Sequence, residues 1–175
     1  MPVTEDVQRV ARAMLKEFES LMSAIVDRVW QTVPPYSTLL LERADLADRI
    51  RENVHNVIVC LLEDREPTAD ELARCARNGE RRALQGVSHA AVIQSFRIAE
   101  RTLSEEFTSW CARMQVKPAN ARAGRVTMIE LLDRLERSML DAYMAMQQQI
   151  SASNLLTEPT LFSRLAIGSP IVRLQ

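Results

Sequence analysis

Residues 128–146, MIELLDRLERSMLDAYMAM, have the most regular hydrophobic pattern in the chain. Apolar residues recur there at alternating steps of four and three, which is typical of a helix packed in a bundle or a coiled coil. The seam consists of Met128, Leu132, Leu135, Met139, Ala142 and Met146. The spacing predicts a long helix, and we expect its seam to serve in dimerisation or in relaying a movement along the bundle.

Helical periodicity extends upstream of this helix, between breakers and capping residues. A first helix is predicted from the cap Thr4 to about Val33, where two prolines stop it. A second is predicted over about 44–63. The capping box of Thr68 and Glu71 opens a short third helix that ends near Gly79 or a turn later. A fourth begins after the cap Ser88, and Pro118 opens the fifth, long helix.

Composition supports one all-α domain, a bundle of five to six helices. The chain has 175 residues, is 47% hydrophobic and contains only 4 glycines. It carries 22 basic and 23 acidic residues, interspersed along the sequence, so we expect no direct nucleic-acid contact. No apolar run is long enough to predict a membrane span. The three cysteines have no metal or redox spacing, which suggests reduced thiols in a cytoplasmic protein.

Catalytic and metal-binding motifs are missing from the sequence. The two histidines, His55 and His89, lack the partners at fixed spacing that a catalytic triad or a three-ligand zinc site would need. Either could be imagined as a haem ligand, but a structural role is the simpler interpretation. We therefore expect no enzyme activity, no metal and no cofactor.

The densest local signal is a glycine-containing segment, 78–88, that leads into 96–101. Gly79 and Gly86 predict a tight corner between two helices. Arg82 and Arg97 are candidates to reach into this corner and hold carbonyl groups. Alternatively, Arg97 and Arg101 form a solvated ridge paired with glutamates, or together hold an anion such as a carboxylate.

The residues of this corner resemble a known family. The pattern Gly79-x-x-Arg82-Ala-x-Gln-Gly-Val-Ser88, followed by Phe96-Arg-Ile-Ala-x-Arg101, resembles the helical N-terminal domain of PucR-type bacterial transcriptional regulators, which is related to that of the RsbR-type stressosome co-antagonists. The resemblance covers about residues 5–150. It implies a bundle that commonly dimerises, globin-like without haem in the RsbR relatives, and that precedes an output module. His89 departs from the usual pattern, so its part in sensing is open.

The resemblance and the sequence pattern together predict two regions. Residues 1–153 form a helical regulatory and dimerisation domain, and 154–175 form a linker and the start of a missing output domain. The segment Ser169-Pro-Ile-Val172 is similar to the opening strand of a STAS domain.

Three hypotheses for function follow. The first is the sensory and dimerisation domain of a PucR-like transcriptional regulator, which signals through its last long helix to a helix-turn-helix output. The second is the N-terminal domain of an RsbR-like co-antagonist, a protein-interaction scaffold in stress signalling. The third is a small-molecule sensor with an apolar cavity lined by Met14, Phe18, Phe96 and Met139, although methionines in a bundle more often fill the core.

Overall fold

The computed structural model describes residues 3–38 and 41–157, and every regular element in them is helical. The prediction of an all-helical bundle is confirmed. The helices are α1 Glu5–Lys16, α2 Phe18–Thr32, α3 Pro34–Thr38, α4 Arg43–Glu63, α5 Ala69–Leu84, α6 His89–Arg113 and α7 Pro118–Thr157. The predicted linker lies outside the described residues from 158 onward, as does the strand predicted at 169–172.

The predicted first helix is divided in two at Glu17. This residue has φ −101° and ψ 21°, outside the α-helical region. The two parts have different main neighbours: α1 packs mostly against α4 and also touches α7, whereas α2 packs mostly against α6. The chain thus leaves the helical conformation where its packing partners change, which periodicity alone does not reveal because the apolar stripe continues through the break.

The predicted helix starts at Thr68, Ser88 and Pro118 are confirmed, whereas Thr4 occupies the N-cap position of α1 without a capping hydrogen bond from its side chain. Thr68 and Glu71 form a reciprocal capping box at the start of α5. The Ser88 hydroxyl accepts a hydrogen bond from the Ala91 N–H at 3.2 Å, and Pro118 is the first residue of α7. Gly86 has φ +74°, a conformation that favours glycine, and makes the corner between α5 and α6.

Gly79 does not form that corner, which corrects the sequence-based expectation. It lies inside α5, where Cys75, Gly79 and Ala83 form a buried stripe of small residues at steps of four. This stripe allows α5 and α7 to approach closely. The Cys75 thiol donates to the Leu135 carbonyl at 3.2 Å, and the Ser138 hydroxyl donates to the Leu72 carbonyl at 2.9 Å.

Helices α4 and α5 run antiparallel. Asp45, near the start of α4, contacts Arg82 near the end of α5, whereas Glu52 contacts Arg74 further back along α5. This arrangement places the first turn of α4 beside the corner at Gly86. In the part of the chain that the structure describes, no helix is long and apolar enough to cross a membrane.

Candidate functional site

A buried ion-pair cluster joins α4 to α5 and is centred on Asp45. Its carboxylate accepts from Arg82 Nη1 at 3.0 Å and lies 3.1 Å from Arg81 Nη2. Arg49 Nε lies 3.9 Å away, beyond hydrogen-bond distance. One carboxylate is therefore surrounded by three guanidinium groups.

Arg82 is the innermost member of this cluster. It is only 2% exposed, and its Nη1 also donates to Gln85 Oε1 at 2.6 Å. Its guanidinium carbon lies 5.4 Å from the centre of the Tyr36 ring. A charge this deeply buried is costly unless it is paired, so these contacts hold the corner in one geometry. The structure places Arg82 in the corner as expected, but its partners there are side-chain oxygens rather than carbonyl groups.

A cavity of about 50 Å³ lies next to this cluster, between α4, α5, α6 and α7. Arg49 and Arg82 are the charged residues of its lining, and no carboxylate among the described residues lines it. Most of the wall is apolar, from Tyr36, Leu46, Ile50, Val54, Val92, Phe96, Ala99, Leu132 and Met139, and the remaining polar lining residues are Asn53, Asn78 and Ser95.

Three buried nitrogen donors belong to residues that line the cavity. Arg82 Nη2, Asn78 Nδ2 and Arg49 Nε have no hydrogen-bond acceptor among the described residues. Asn78 is 4% exposed and stands one turn before Arg82 on α5. Buried donors in folded proteins are nearly always satisfied, so this group marks a place that is built to meet an acceptor.

Arg97 and Arg101 do not assemble the anion site that the sequence suggested. Their side chains are 59% and 81% exposed. Arg97 donates to Glu100 at 2.9 Å, and Arg101 donates to Glu105 at 3.1 Å. Neither lines the cavity, and nearby carboxylates already take up their donors. The solvated, paired ridge is the interpretation that fits, and Arg97 does not enter the corner.

Glu136 on α7 lies at the edge of this ridge. Its carboxylate is 3.9 Å from Arg97 Nη2 and is largely buried. Burial raises the pKa of Glu136, and the opposite effect of Arg97 only partly offsets this shift.

His89 lies at the exposed start of α6, outside the lining of the cavity. Its ring stands 5.6 Å from the ring of Tyr143, whose hydroxyl donates to the Val87 carbonyl at 2.7 Å. Together they connect the corner to α7. The structure therefore gives His89 a packing role at the corner.

The seam of α7 is largely enclosed within the chain. Met128, Leu132, Leu135 and Met139 are each no more than 6% exposed, whereas Ala142 and Met146 are half-buried. The four inner positions are occupied by contacts within the chain, and two of them, Leu132 and Met139, line the cavity. The assignment of the seam to dimerisation or relay stays a prediction.

The apolar cavity predicted from four residues does not exist as one space. Phe96 and Met139 line the central cavity, whereas Met14 lines a separate surface pocket with Trp110. Phe18 packs its ring 5.7 Å from the ring of His55. Sequence reasoning missed Asp45 and Asn78; the signal for Asn78 was its position one helical turn before Arg82, on the same buried face of α5.

Burial shifts the thiols of Cys60 and Cys75 away from reactivity. Burial raises the pKa of Cys60 to about 11 and that of Cys75 to about 12, so neither thiol is a ready nucleophile. In residues 3–38 and 41–157, no three side chains of His, Cys, Asp or Glu are grouped to hold a metal ion. The donors and the apolar wall can recognise a small molecule that presents acceptors.

Comparison with known proteins gives one match. The family model described as RsbT co-antagonist protein RsbRD N-terminal domain matches residues 19–154, a range that includes the whole of the cavity lining. No curated protein and no solved structure matches the chain. The RsbR-type half of the predicted resemblance is confirmed, while the PucR-type half finds no match. The match spans more than three quarters of the sequence, and the chain belongs to the RsbRD N-terminal domain family.

Proposed function

We propose that this chain is a non-catalytic input domain that passes a change at its cavity to an output module through α7. The observation that carries the proposal is the reach of this helix. It lines the cavity with Leu132 and Met139, holds the corner through Tyr143, and continues without a break to Thr157. Fourteen residues beyond Tyr143 span roughly 20 Å.

The C-terminal end of α7 is suited to connecting this domain to a following module. Residues 151–154 are exposed, so the core of this domain gives them little support. A rigid helix that leaves a bundle transmits shifts and rotations of its base to whatever follows it.

Hydrogen exchange tests the coupling between the cluster and this helix. Arg82→Gln weakens the contact with Asp45, and we expect faster exchange both around the corner and in residues 146–157. Arg101→Gln is the matched control, because Arg101 is exposed and lies outside the cluster. Faster exchange in α5 with no change beyond Tyr143 would show that α7 does not relay.

For the output, we propose co-antagonism of RsbT, since the matched family is described as the N-terminal domain of an RsbT co-antagonist protein. Co-purification of the intact gene product with RsbT tests this proposal. A helix-turn-helix output, as in PucR-type regulators, is suggested by the corner residues alone. Specific retention of a promoter fragment by the intact gene product, without RsbT, would favour that second candidate.

A homodimer is also part of the proposal. Because the inner seam is enclosed, we place the dimer contact on the outer face of α7, where Met144 is 52% exposed. Light scattering should give the mass of two chains, and Met144→Glu should shift the protein toward one. A wild-type protein that stays monomeric at millimolar concentration would contradict the dimer.

A further inference from the structure

The polar end of the cavity consists of donors without acceptors. Arg82 Nη2 and Asn78 Nδ2 belong to nearly completely buried side chains, and Arg49 Nε joins them from α4. A guanidinium and a side-chain NH₂ can only donate, so a ligand in contact with them must present acceptor oxygens.

The charged side chains around the cavity favour an anionic ligand. The carboxylates nearest to the lining arginines are already shared: Asp45 is held by Arg81 and Arg82, and Glu52 lies 2.7 Å from Arg74 and 3.4 Å from Arg49. Each acid thus faces more than one guanidinium. Arg74 is also paired with Asp70, so the four guanidinium groups of Arg49, Arg74, Arg81 and Arg82 face three carboxylates. An incoming carboxylate would balance the one remaining positive charge, and charge-assisted hydrogen bonds to Arg are among the strong ones.

The apolar part of the cavity wall favours a ligand with a short carbon chain. Phe96 and Val92 from α6 and Leu132 and Met139 from α7 line the cavity. A volume of about 50 Å³ corresponds to roughly three to five water-sized spheres. Ordered water alone would satisfy the donors but would gain nothing from the apolar wall, whereas an alkyl group would.

We propose that the cavity binds a short-chain aliphatic monocarboxylate, such as propionate or butyrate. Its carboxylate accepts from Arg82 Nη2 and Asn78 Nδ2, which are covered by protein atoms in this structure and turn toward the ligand on binding, and its alkyl group packs against Phe96 and Met139. This names the signal for the input domain and so rests on the proposed function, but binding itself can be measured without any relay. Because Met139 belongs to α7, occupancy acts directly on the helix that leaves the bundle.

Calorimetry on the full chain tests the proposal, with sodium acetate, propionate, butyrate and octanoate at constant ionic strength. We expect saturable binding of the short acids, weaker binding of octanoate because the cavity is small, and none of propionamide or chloride. Asn78→Asp is the diagnostic variant, since it keeps the size of the side chain and replaces the donor with a carboxylate. Its affinity for propionate should fall by at least about tenfold.

Arg97→Gln is the matched control and should bind as the wild type does, because Arg97 lies on the exposed ridge. Circular dichroism and urea unfolding establish that Asn78→Asp is folded. If that variant does not fold, Phe96→Trp supplies the second test, because a larger side chain in the wall should favour acetate over butyrate.

Three results would overturn the proposal: no saturable binding at tens of millimolar, equal stabilisation by chloride, or unchanged affinity in Asn78→Asp. If propionate binds but hydrogen exchange in residues 146–157 does not change, the ligand proposal is supported and only the relay through α7 is contradicted. The two proposals therefore fail separately.

Discussion

Gly79 of α5 and Met139 of α7 approach so closely that a Cβ atom on Gly79 would lie 2.0 Å from the Met139 carbonyl oxygen. The same atom would lie 3.1 Å from the backbone nitrogen of Tyr143. Because these atoms belong to backbone, they cannot move aside as the tip of a side chain can. The absence of a side chain at residue 79 therefore sets the distance between the two helices, and with it the position of Met139 at the cavity.

Gly79→Ala should destabilise the protein for this reason. Glycine inside a helix normally costs stability relative to alanine, so an exposed site would gain from the change. Here the clash should outweigh that gain and lower the free energy of unfolding by about 2–4 kcal/mol. Urea unfolding measures it, with the exposed neighbour Glu80→Ala as control. A stability within about 0.5 kcal/mol of wild type would show that α5 and α7 can separate freely.

Asp45→Asn tests the buried ion pair. The change leaves Arg82, 2% exposed, without its charged partner, and removing one member of a buried pair costs about 3–5 kcal/mol. Since the Asp45 side chain retains 12% exposure, the lower end of that range is expected. Asp27→Asn, whose side chain is 44% exposed in its pair with Arg43, is the control and should change stability by less than about 1 kcal/mol. Equal effects of both variants would argue that burial does not strengthen the Asp45 pair.

Glu71 should make stability depend on pH in the acid range. The hydrogen bond from the Arg65 guanidinium, supported by those from Thr68, lowers the pKa of Glu71 from 4.5 to about 2. Since the folded pKa is the lower one, this carboxylate stabilises the fold fully above about pH 4.5, and its contribution is lost as the pH falls through 2. The shift corresponds to about 3 kcal/mol, which partial exposure of Arg65 reduces to about 2 kcal/mol.

Glu71→Gln should therefore lose about 2 kcal/mol at pH 7, and the difference from wild type should shrink toward pH 2. Denaturant unfolding at a series of pH values measures this. The control is Asp70→Asn, because the Asp70 side chain is 73% exposed. A gap between Glu71→Gln and wild type that stays constant down to pH 2 would contradict the assigned pKa.

The three thiols should react slowly in the folded protein. Cys60, Cys75 and Cys111 are all buried, and burial raises the pKa of each. At pH 8 with a pKa of about 12, only about one Cys75 in ten thousand is a thiolate. Mass spectrometry after iodoacetamide treatment should show no modification at Cys75 on a timescale that labels all three in urea. Labelling of folded Cys75 as fast as in urea would show that α5 separates from α7 in the native state.

The amino-acid sequence by itself determined most of the helical segments and where most of them begin, but it did not predict the short α3, Pro34–Thr38. Thr68, Ser88 and Pro118 act on groups within one turn of themselves, so their effect does not depend on the rest of the fold. The seam of α7 was also visible, because its period follows from the geometry of a single helix. Local rules of this kind cannot say which surface the seam meets.

Only the tertiary structure decided which residues of different helices contact each other. Arg82 and Asp45 are separated by 37 positions, and their pairing depends on α4 and α5 lying antiparallel. Arg97 looked equivalent to Arg82 in sequence, but it lies on the outer face of α6 and pairs with Glu100. Gly79 looked like a turn residue because glycine serves both turns and close helix contacts, and only the approach of Met139 distinguishes them. The cavity likewise exists because residues of α4, α5, α6 and α7, with Tyr36 of α3, come together around it, a property that no single segment possesses.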